Sequence, residues 1–149
     1  MKRVIVAIDG SEASKRVIEY ALQYAEKEKD AELVFFHAIE SVESKHIQYT
    51  GYALHVPPSE DDVREQFTQI VEDVRKKLNS PVTSYSVEVK AGISYEEIVD
   101  FATKHDASVI MIGHRGISGV RRFLLGSVAA KVVAHAPCSV YVHRPKEKA

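Results

Sequence analysis

The chain has 149 residues, of which 45% are hydrophobic, and this size and composition predict one domain with a single packed core. Its 20 basic and 21 acidic side chains nearly cancel, which argues against recruitment to nucleic acid or an anionic membrane by overall charge. No apolar run approaches the ~18 residues of a membrane span, and the start leaves no room for a signal peptide, so we expect a cytosolic protein.

The first half of the chain alternates buried strands with an amphipathic helix. An apolar run over 4–8 predicts a strand that ends at Asp9, and Ser11 is placed to cap the helix that follows. Residues 33–39 predict a second strand buried on both faces. The segment 40–58 has no clear periodicity, so we expect a long loop that either closes over a ligand or lacks regular structure.

The middle of the chain begins with a second amphipathic helix, for which Ser59 is the predicted cap. The alternating pattern over 82–89 predicts a half-exposed strand at an edge of the sheet. Ser94 and Glu97 have the spacing of a capping box at the start of a third helix, and Ile93 stands where a hydrophobic staple would pack.

The last part of the chain contains two strands separated by a glycine-rich loop and a helix. Residues 109–112 predict a buried strand, and the last strand is expected over 138–143. Between them a fourth helix begins near Gly126 and is expected to carry Val128, Val132 and Val133. The single domain therefore covers 1–144 and is followed by a charged tail over 145–149.

This alternation predicts an α/β fold with a doubly wound, five-stranded parallel sheet and helices on both faces. Folds of this size commonly take the strand order 3-2-1-4-5. In that order the chain reverses its direction across the sheet between strands one and four. Ligands of such folds bind outside the carboxyl ends of the strands at this switch point. Asp9 and Gly113 end those two strands, so we expect them to flank one crevice.

The glycine loop follows the pattern Gly113-x2-Gly116-x9-Gly126-Ser127. Backbone N–H groups and the positive end of a helix dipole at Ser127 would suit a phosphate, although the glycines could equally form plain loop turns. The close glycine pair of a dinucleotide-binding fingerprint and the lysine of a P-loop are both absent from the sequence, so neither class of protein is favoured.

With these residues in place, the sequence from Val4 to His143 resembles the universal stress protein family, and the glycine-serine pattern resembles its ATP-binding type. The resemblance implies a Rossmann-like fold holding ATP, with Mg²⁺ as a candidate companion ion. It also implies a homodimer joined through the edge strand 138–143. The nucleotide-binding residues that it implies are Asp9, Ala38, Ile112, Gly113, Arg115, Gly116, Gly126, Ser127 and Val128.

The sequence leaves two interpretations open for several side chains. Asp9 either contacts the ligand or caps the turn into the first helix. His114 is interpreted as an exposed loop residue or a phosphate contact rather than a general base, and Arg121 and Arg122 either reach the phosphates or remain solvated. The histidines show no metal-ligand spacing, and the lone Cys138 is expected to be a buried, unreactive thiol.

The leading functional hypothesis is a cytosolic, ATP-binding stress-response regulator whose bound nucleotide orders the 40–58 loop and the glycine loop. A slow ATP hydrolase or phosphotransferase is the alternative, weakened by the lack of a clear catalytic base. A phosphoacceptor switch is disfavoured, because the third strand ends in Lys90-Ala-Gly92 where such a site needs an acid.

Overall fold

A parallel sheet with helices on both faces forms the body of the protein, as seen in a computed structural model that describes residues 2–40, 59–115 and 125–146. Apart from Glu40, the loop predicted over 40–58 lies outside the described residues. The elements are β1 (Lys2–Ala7), α1 (Glu12–Lys27), β2 (Ala31–Ile39), α2 (Glu60–Lys77), β3 (Tyr85–Ala91), α3 (Ser94–Lys104), β4 (Val109–Gly113), α4 (Ser127–His135) and β5 (Ser139–His143).

The five strands are all parallel and follow the order β3-β2-β1-β4-β5, which confirms the predicted topology. β1 lies at the centre, where Val4 pairs with Leu33 of β2 on one side and with Val109 of β4 on the other. The carboxyl ends of β1, β2 and β4 therefore lie side by side at one edge of the sheet.

The core consists of two apolar layers, one on each face of the sheet. Alternate residues of β1 divide between them: Val4 and Val6 pack with α1 and α2, whereas Ile5 packs with α3 and α4. Because every strand side chain at the centre is covered, β1 and β2 are apolar without alternation, and this is why the sequence showed them as continuous hydrophobic runs.

Two helix starts were predicted correctly from single residues. The Ser11 hydroxyl accepts a hydrogen bond from the backbone N–H of Ser14 at 3.1 Å, and the Ser59 hydroxyl accepts one from Asp62 at 3.1 Å. Each serine thus satisfies one of the N–H groups that the first turn of a helix leaves without an intrahelical partner.

The predicted capping box at the start of α3 is wrong. Ile93 is the N-cap residue and Ser94 already belongs to the helix, so the serine cannot cap it. The Ile93 side chain is 53% exposed and forms no buried staple. The N–H of Ser94 donates instead to a carboxylate oxygen of Glu40, at 2.9 Å, and this residue just beyond the end of β2 replaces the local cap.

All three valines predicted for the fourth helix lie in α4, where Val132 is fully buried whereas Val133 is 49% exposed. The third strand begins three residues later than predicted, at Tyr85, but it does lie at an edge of the sheet.

Cys138 is half-buried, and burial raises the pKa of its thiol, which agrees with an unreactive cysteine. None of the described helices combines the length and apolarity that crossing a membrane requires.

Candidate functional site

A cavity of about 220 Å³ opens at the carboxyl ends of β1, β2 and β4 and reaches the first turns of α3 and α4. Eight predicted residues line it: Asp9, Ala38, Ile112, Gly113, Arg115, Gly126, Ser127 and Val128. The other predicted contacts Gly116, Arg121 and Arg122 lie outside the described residues. The fold thus gathers one cavity from residues that are far apart in the chain, and their contact with a nucleotide stays a prediction.

The turn after β1 directs an acid into this cavity. One carboxylate oxygen of Asp9 accepts a hydrogen bond from the N–H of Ser11 at 3.0 Å, and the Asp9 N–H donates to the Ser14 hydroxyl at 3.0 Å. Gly10 adopts a positive φ of 81°, which a glycine takes at little cost and which lets the chain turn sharply here. Asp9 therefore holds the turn and lines the cavity at once, so the two interpretations of this residue do not compete.

The end of β2 contributes a histidine for which the sequence predicted no role in the site. His37 is buried, and its Nδ1 lies 2.8 Å from the carbonyl oxygen of Ile8. Because a carbonyl oxygen only accepts, Nδ1 must carry the proton. The ring also stacks on Phe67 of α2, with 4.1 Å between the centroids. His37 thereby fixes the peptide just before Asp9.

Glu40 and Ser94 also line the cavity, and neither was predicted to do so. Glu40 is the residue directly after β2 and holds the first N–H of α3 through the hydrogen bond described above. A signal for it existed in the sequence: like Asp9, it is the first acid beyond the carboxyl end of a buried central strand. The place of Ser94 at the cavity could not be predicted from nearby residues, because its hydrogen-bond partner Glu40 is 54 positions away.

The start of α4 gives the opposite end of the cavity a positive character. Gly126 is the N-cap residue of α4, and it has no side chain that could accept a hydrogen bond from the first turn. The helix dipole and the N–H groups of this turn therefore favour an anion. The exposed, cationic Arg115 lines the cavity as well, so its lining combines carboxylates with a site suited to phosphate.

His114 does not line the cavity, and the expectation that it is exposed is wrong, since only 4% of it is accessible. Its backbone N–H and its Nδ1 both lie against the carbonyl oxygen of His143, at 3.1 and 3.3 Å. β5 runs beside β4 and covers this position, which local sequence could not reveal. Burial also lowers the pKa of the neighbouring His143. A phosphate contact by the His114 side chain stays a prediction.

Comparison with known proteins identifies the family. The sequence model of the universal stress protein family matches residues 1–144. The chain belongs to this family. The universal stress protein YxiE of Bacillus subtilis is 30% identical over 147 residues, covering 95% of this chain and 98% of YxiE. The resemblance noted from Val4 to His143 is therefore confirmed at the level of the family.

Solved structures of universal stress proteins share this fold. One from Archaeoglobus fulgidus, in complex with dAMP, superimposes with a TM-score of 0.66 at 22% identity, covering 97% of this chain and 98% of that one. Another, in complex with cAMP, gives a TM-score of 0.68 at 20% identity, covering 96% and 97%. At such identities the likeness establishes a common Rossmann-like architecture, whereas the ligands belong to those proteins.

Proposed function

We propose that this universal stress protein is a cytosolic regulatory protein that binds an adenine nucleotide, ATP, in the cavity at the carboxyl edge of its sheet. The observation that carries the proposal is the pairing, within one cavity, of the Asp9 carboxylate with the open N-terminus of α4. A ribose offers hydroxyl donors to a carboxylate, and a phosphate accepts from the N–H groups of a helix start.

The arrangement of the cavity supports one orientation of the nucleotide. Phosphates belong at Gly126, Ser127 and Arg115, where the helix dipole and a guanidinium favour negative charge. The ribose then lies over Asp9 on the central strand, and the base reaches Ala38 on β2. Mg²⁺ would accompany the phosphates and neutralise part of their charge. The dAMP and cAMP bound by two relatives support an adenine nucleotide as the ligand class.

A direct test is to denature the purified protein and identify any released nucleotide by mass spectrometry, followed by calorimetry of the nucleotide-free protein with ATP. We expect saturable binding that Gly126→Val weakens, because a branched side chain at this buried N-cap fills space that the phosphates need. Absence of heat and of saturation at millimolar ATP would contradict the proposal.

The alternative of a slow ATP hydrolase or phosphotransferase has less support. The His114 ring, which was the candidate base, lies against the His143 carbonyl and not along the cavity wall. Phosphate release over many turnovers that persists through purification and disappears in Asp9→Asn would favour the hydrolase over the binding protein.

We also propose a homodimer formed through the edge strand β5 and the residue before it, 138–143. β5 is the last strand of the sheet, so one side of its backbone has no neighbouring strand among the described residues. Its sequence contains no lysine or proline that would protect such an edge. Sedimentation analysis should show a dimer that Val140→Lys converts into a monomer, and a monomeric wild-type protein at high concentration would rule the interface out.

A further inference from the structure

One carboxylate oxygen of Glu40 accepts a hydrogen bond, and the other accepts none from the described residues. Oε1 accepts the hydrogen bond from the Ser94 N–H at 2.9 Å, which fixes the side chain against the start of α3. Oε2 accepts no hydrogen bond from any described residue. Because Glu40 also lines the cavity, an acceptor held in place by α3 is available to whatever ligand enters.

The order of the strands determines which part of a nucleotide meets this acceptor. The cavity extends from β2 across β1 to β4, and neighbouring strands are about 4.8 Å apart, so its two ends are separated by roughly 10 Å. If the phosphates occupy the start of α4, which follows β4, then the base of the same molecule lies at β2, beside Ala38 and Glu40.

We propose that Glu40 is a specificity-determining residue that selects a purine with an amino group at C6. Its second oxygen accepts a hydrogen bond from the exocyclic amine of adenine. The same position repels the 6-oxo group of hypoxanthine or guanine, because two acceptors then face each other without a proton between them. This inference rests on the proposed nucleotide function and adds the residue that reads the base.

The backbone at Ala38 is the competing source of base selectivity, and a substitution of Glu40 separates the two. In Glu40→Gln the amide carbonyl can keep the hydrogen bond from Ser94 while its NH₂ group turns toward the ligand. The main chain of β2 remains paired with β3 and is unaffected by this change. A donor then replaces an acceptor at one position of the cavity without altering its size.

The experiment compares three triphosphates by displacement titration at neutral pH: ATP, inosine triphosphate, and the triphosphate of purine riboside, which carries hydrogen at C6. We expect the wild-type protein to bind ATP at least about tenfold more tightly than inosine triphosphate, as expected for a hydrogen bond to a charged acceptor. In Glu40→Gln the ratio should fall to about one or reverse in favour of the 6-oxo purine. Glu65→Gln, which removes the same charge from an exposed site on α2, should keep the wild-type ratio.

The outcomes separate this inference from the function on which it rests. If the wild-type protein binds none of the three nucleotides, the proposed function fails and the role of Glu40 fails with it. If ATP binds but Glu40→Gln keeps the wild-type ratio, only the role of Glu40 is overturned. Should Glu40→Gln not fold, Glu40→Ala tests the same position: a ratio near one supports the inference, and the wild-type ratio overturns it. Equal or tighter binding of the 6-oxo nucleotide by the wild-type protein overturns it without any variant.

Discussion

The helices α3 and α4 lie on the same face of the sheet and begin beside the same cavity, but their first turns are satisfied differently. The first N–H of α3 donates to the side chain of Glu40, the residue directly after β2. α4 begins at Gly126, which has no capping side chain. α1 and α2 resemble α3 in this respect, because Ser11 and Ser59 cap them.

The difference separates helix starts that serve the fold from one that is suited to a ligand. An unpaired N–H at a buried or half-buried helix end is unfavourable, so a helix whose role is structural brings an acceptor of its own. At α4 the sequence supplies a glycine instead, and the donors remain available to an anion that enters the cavity. Four substitutions would break or sharpen this contrast.

The largest effect is expected from closing the open helix start with Gly126→Asp. The backbone here, with φ of −60° and ψ of 152°, suits an N-cap aspartate, whose carboxylate would accept from the first turn. We expect the free energy of unfolding to rise by a few tenths of a kcal/mol and ATP affinity to fall about 100-fold, since the carboxylate repels phosphate. Urea denaturation and calorimetry measure the two effects.

The neutral cap in Gly126→Asn provides the matched control for this change. It supplies an acceptor of nearly the same size without a charge, so both variants lose the affinity that depends on free space at this position. The additional loss in the aspartate variant measures the repulsion between its carboxylate and the phosphates. Unchanged ATP affinity in Gly126→Asp would show that the open start of α4 has no part in binding.

A smaller effect is expected from removing the cation beside that helix start. Arg115→Gln should weaken ATP binding about fivefold at low ionic strength and flatten its dependence on salt, because an exposed charge acts through a screened attraction. Titrations at several salt concentrations test this, with Arg64→Gln on α2 as a control for loss of charge outside the cavity. Equal losses in both variants would indicate that Arg115 acts only through net charge.

Removing the cap of α2 should have effects opposite to those of Gly126→Asp: stability falls and ATP affinity is kept. Ser59→Ala deletes the hydroxyl that accepts from Asp62, so the free energy of unfolding should fall by about 1 kcal/mol. ATP affinity should stay within about twofold of the wild-type value, and Ser59→Asn should recover most of the stability. A loss of ATP affinity comparable to that of Gly126→Asp would remove the distinction between the two kinds of helix start.

The smallest effect concerns an ion pair far from any helix start. Hydrogen bonds from Arg75 and from the Tyr85 hydroxyl lower the pKa of Glu72 to about 2. Its ordinary value is 4.5, so the unfolded chain binds the extra proton first. The stabilisation is therefore complete above pH 4.5 and disappears as the pH falls toward 2.

Urea denaturation from pH 7 downward should consequently show a flatter acid dependence in Glu72→Gln than in the wild-type protein, with no change in ATP affinity at neutral pH. The exposed Glu65→Gln variant should follow the wild-type curve. Identical acid slopes in Glu72→Gln and the wild-type protein would mean that this ion pair contributes nothing to folding.

Much of the fold was predictable because its signals are local. The strands around Val4 and Ile110 are buried on both faces, and the serine caps at Ser11 and Ser59 need only a neighbour three residues away. The capping box was predicted wrongly because the acceptor at the start of α3 is not local. The acceptor for the first N–H of α3 is Glu40, which directly follows β2 and lies 54 positions before Ser94, so the sequence around the helix start does not reveal it.

The candidate site was predictable to the extent that it follows from topology. Once the strand order is given, Asp9 and Gly113 must lie at one edge of the sheet, and the glycine-serine pattern identifies the helix start beside them. The burial of His114 was not predictable from its local sequence, because it results from contact with β5, a separate strand that contains His143. His37 was missed because its partners come from other elements, whereas Glu40 was missed although it follows a buried strand as Asp9 does.

The central position of β1 also affects how the protein is synthesised. β1 precedes the other four strands in the chain and pairs with β2, which ends at Ile39, but its other side waits for β4, which begins at Val109. Its pairing partners on that side are thus 105 positions away in sequence. Until β4 emerges, the nascent chain exposes an apolar strand edge, so we expect chaperones to bind it then, and folding to be slow for a domain of this size.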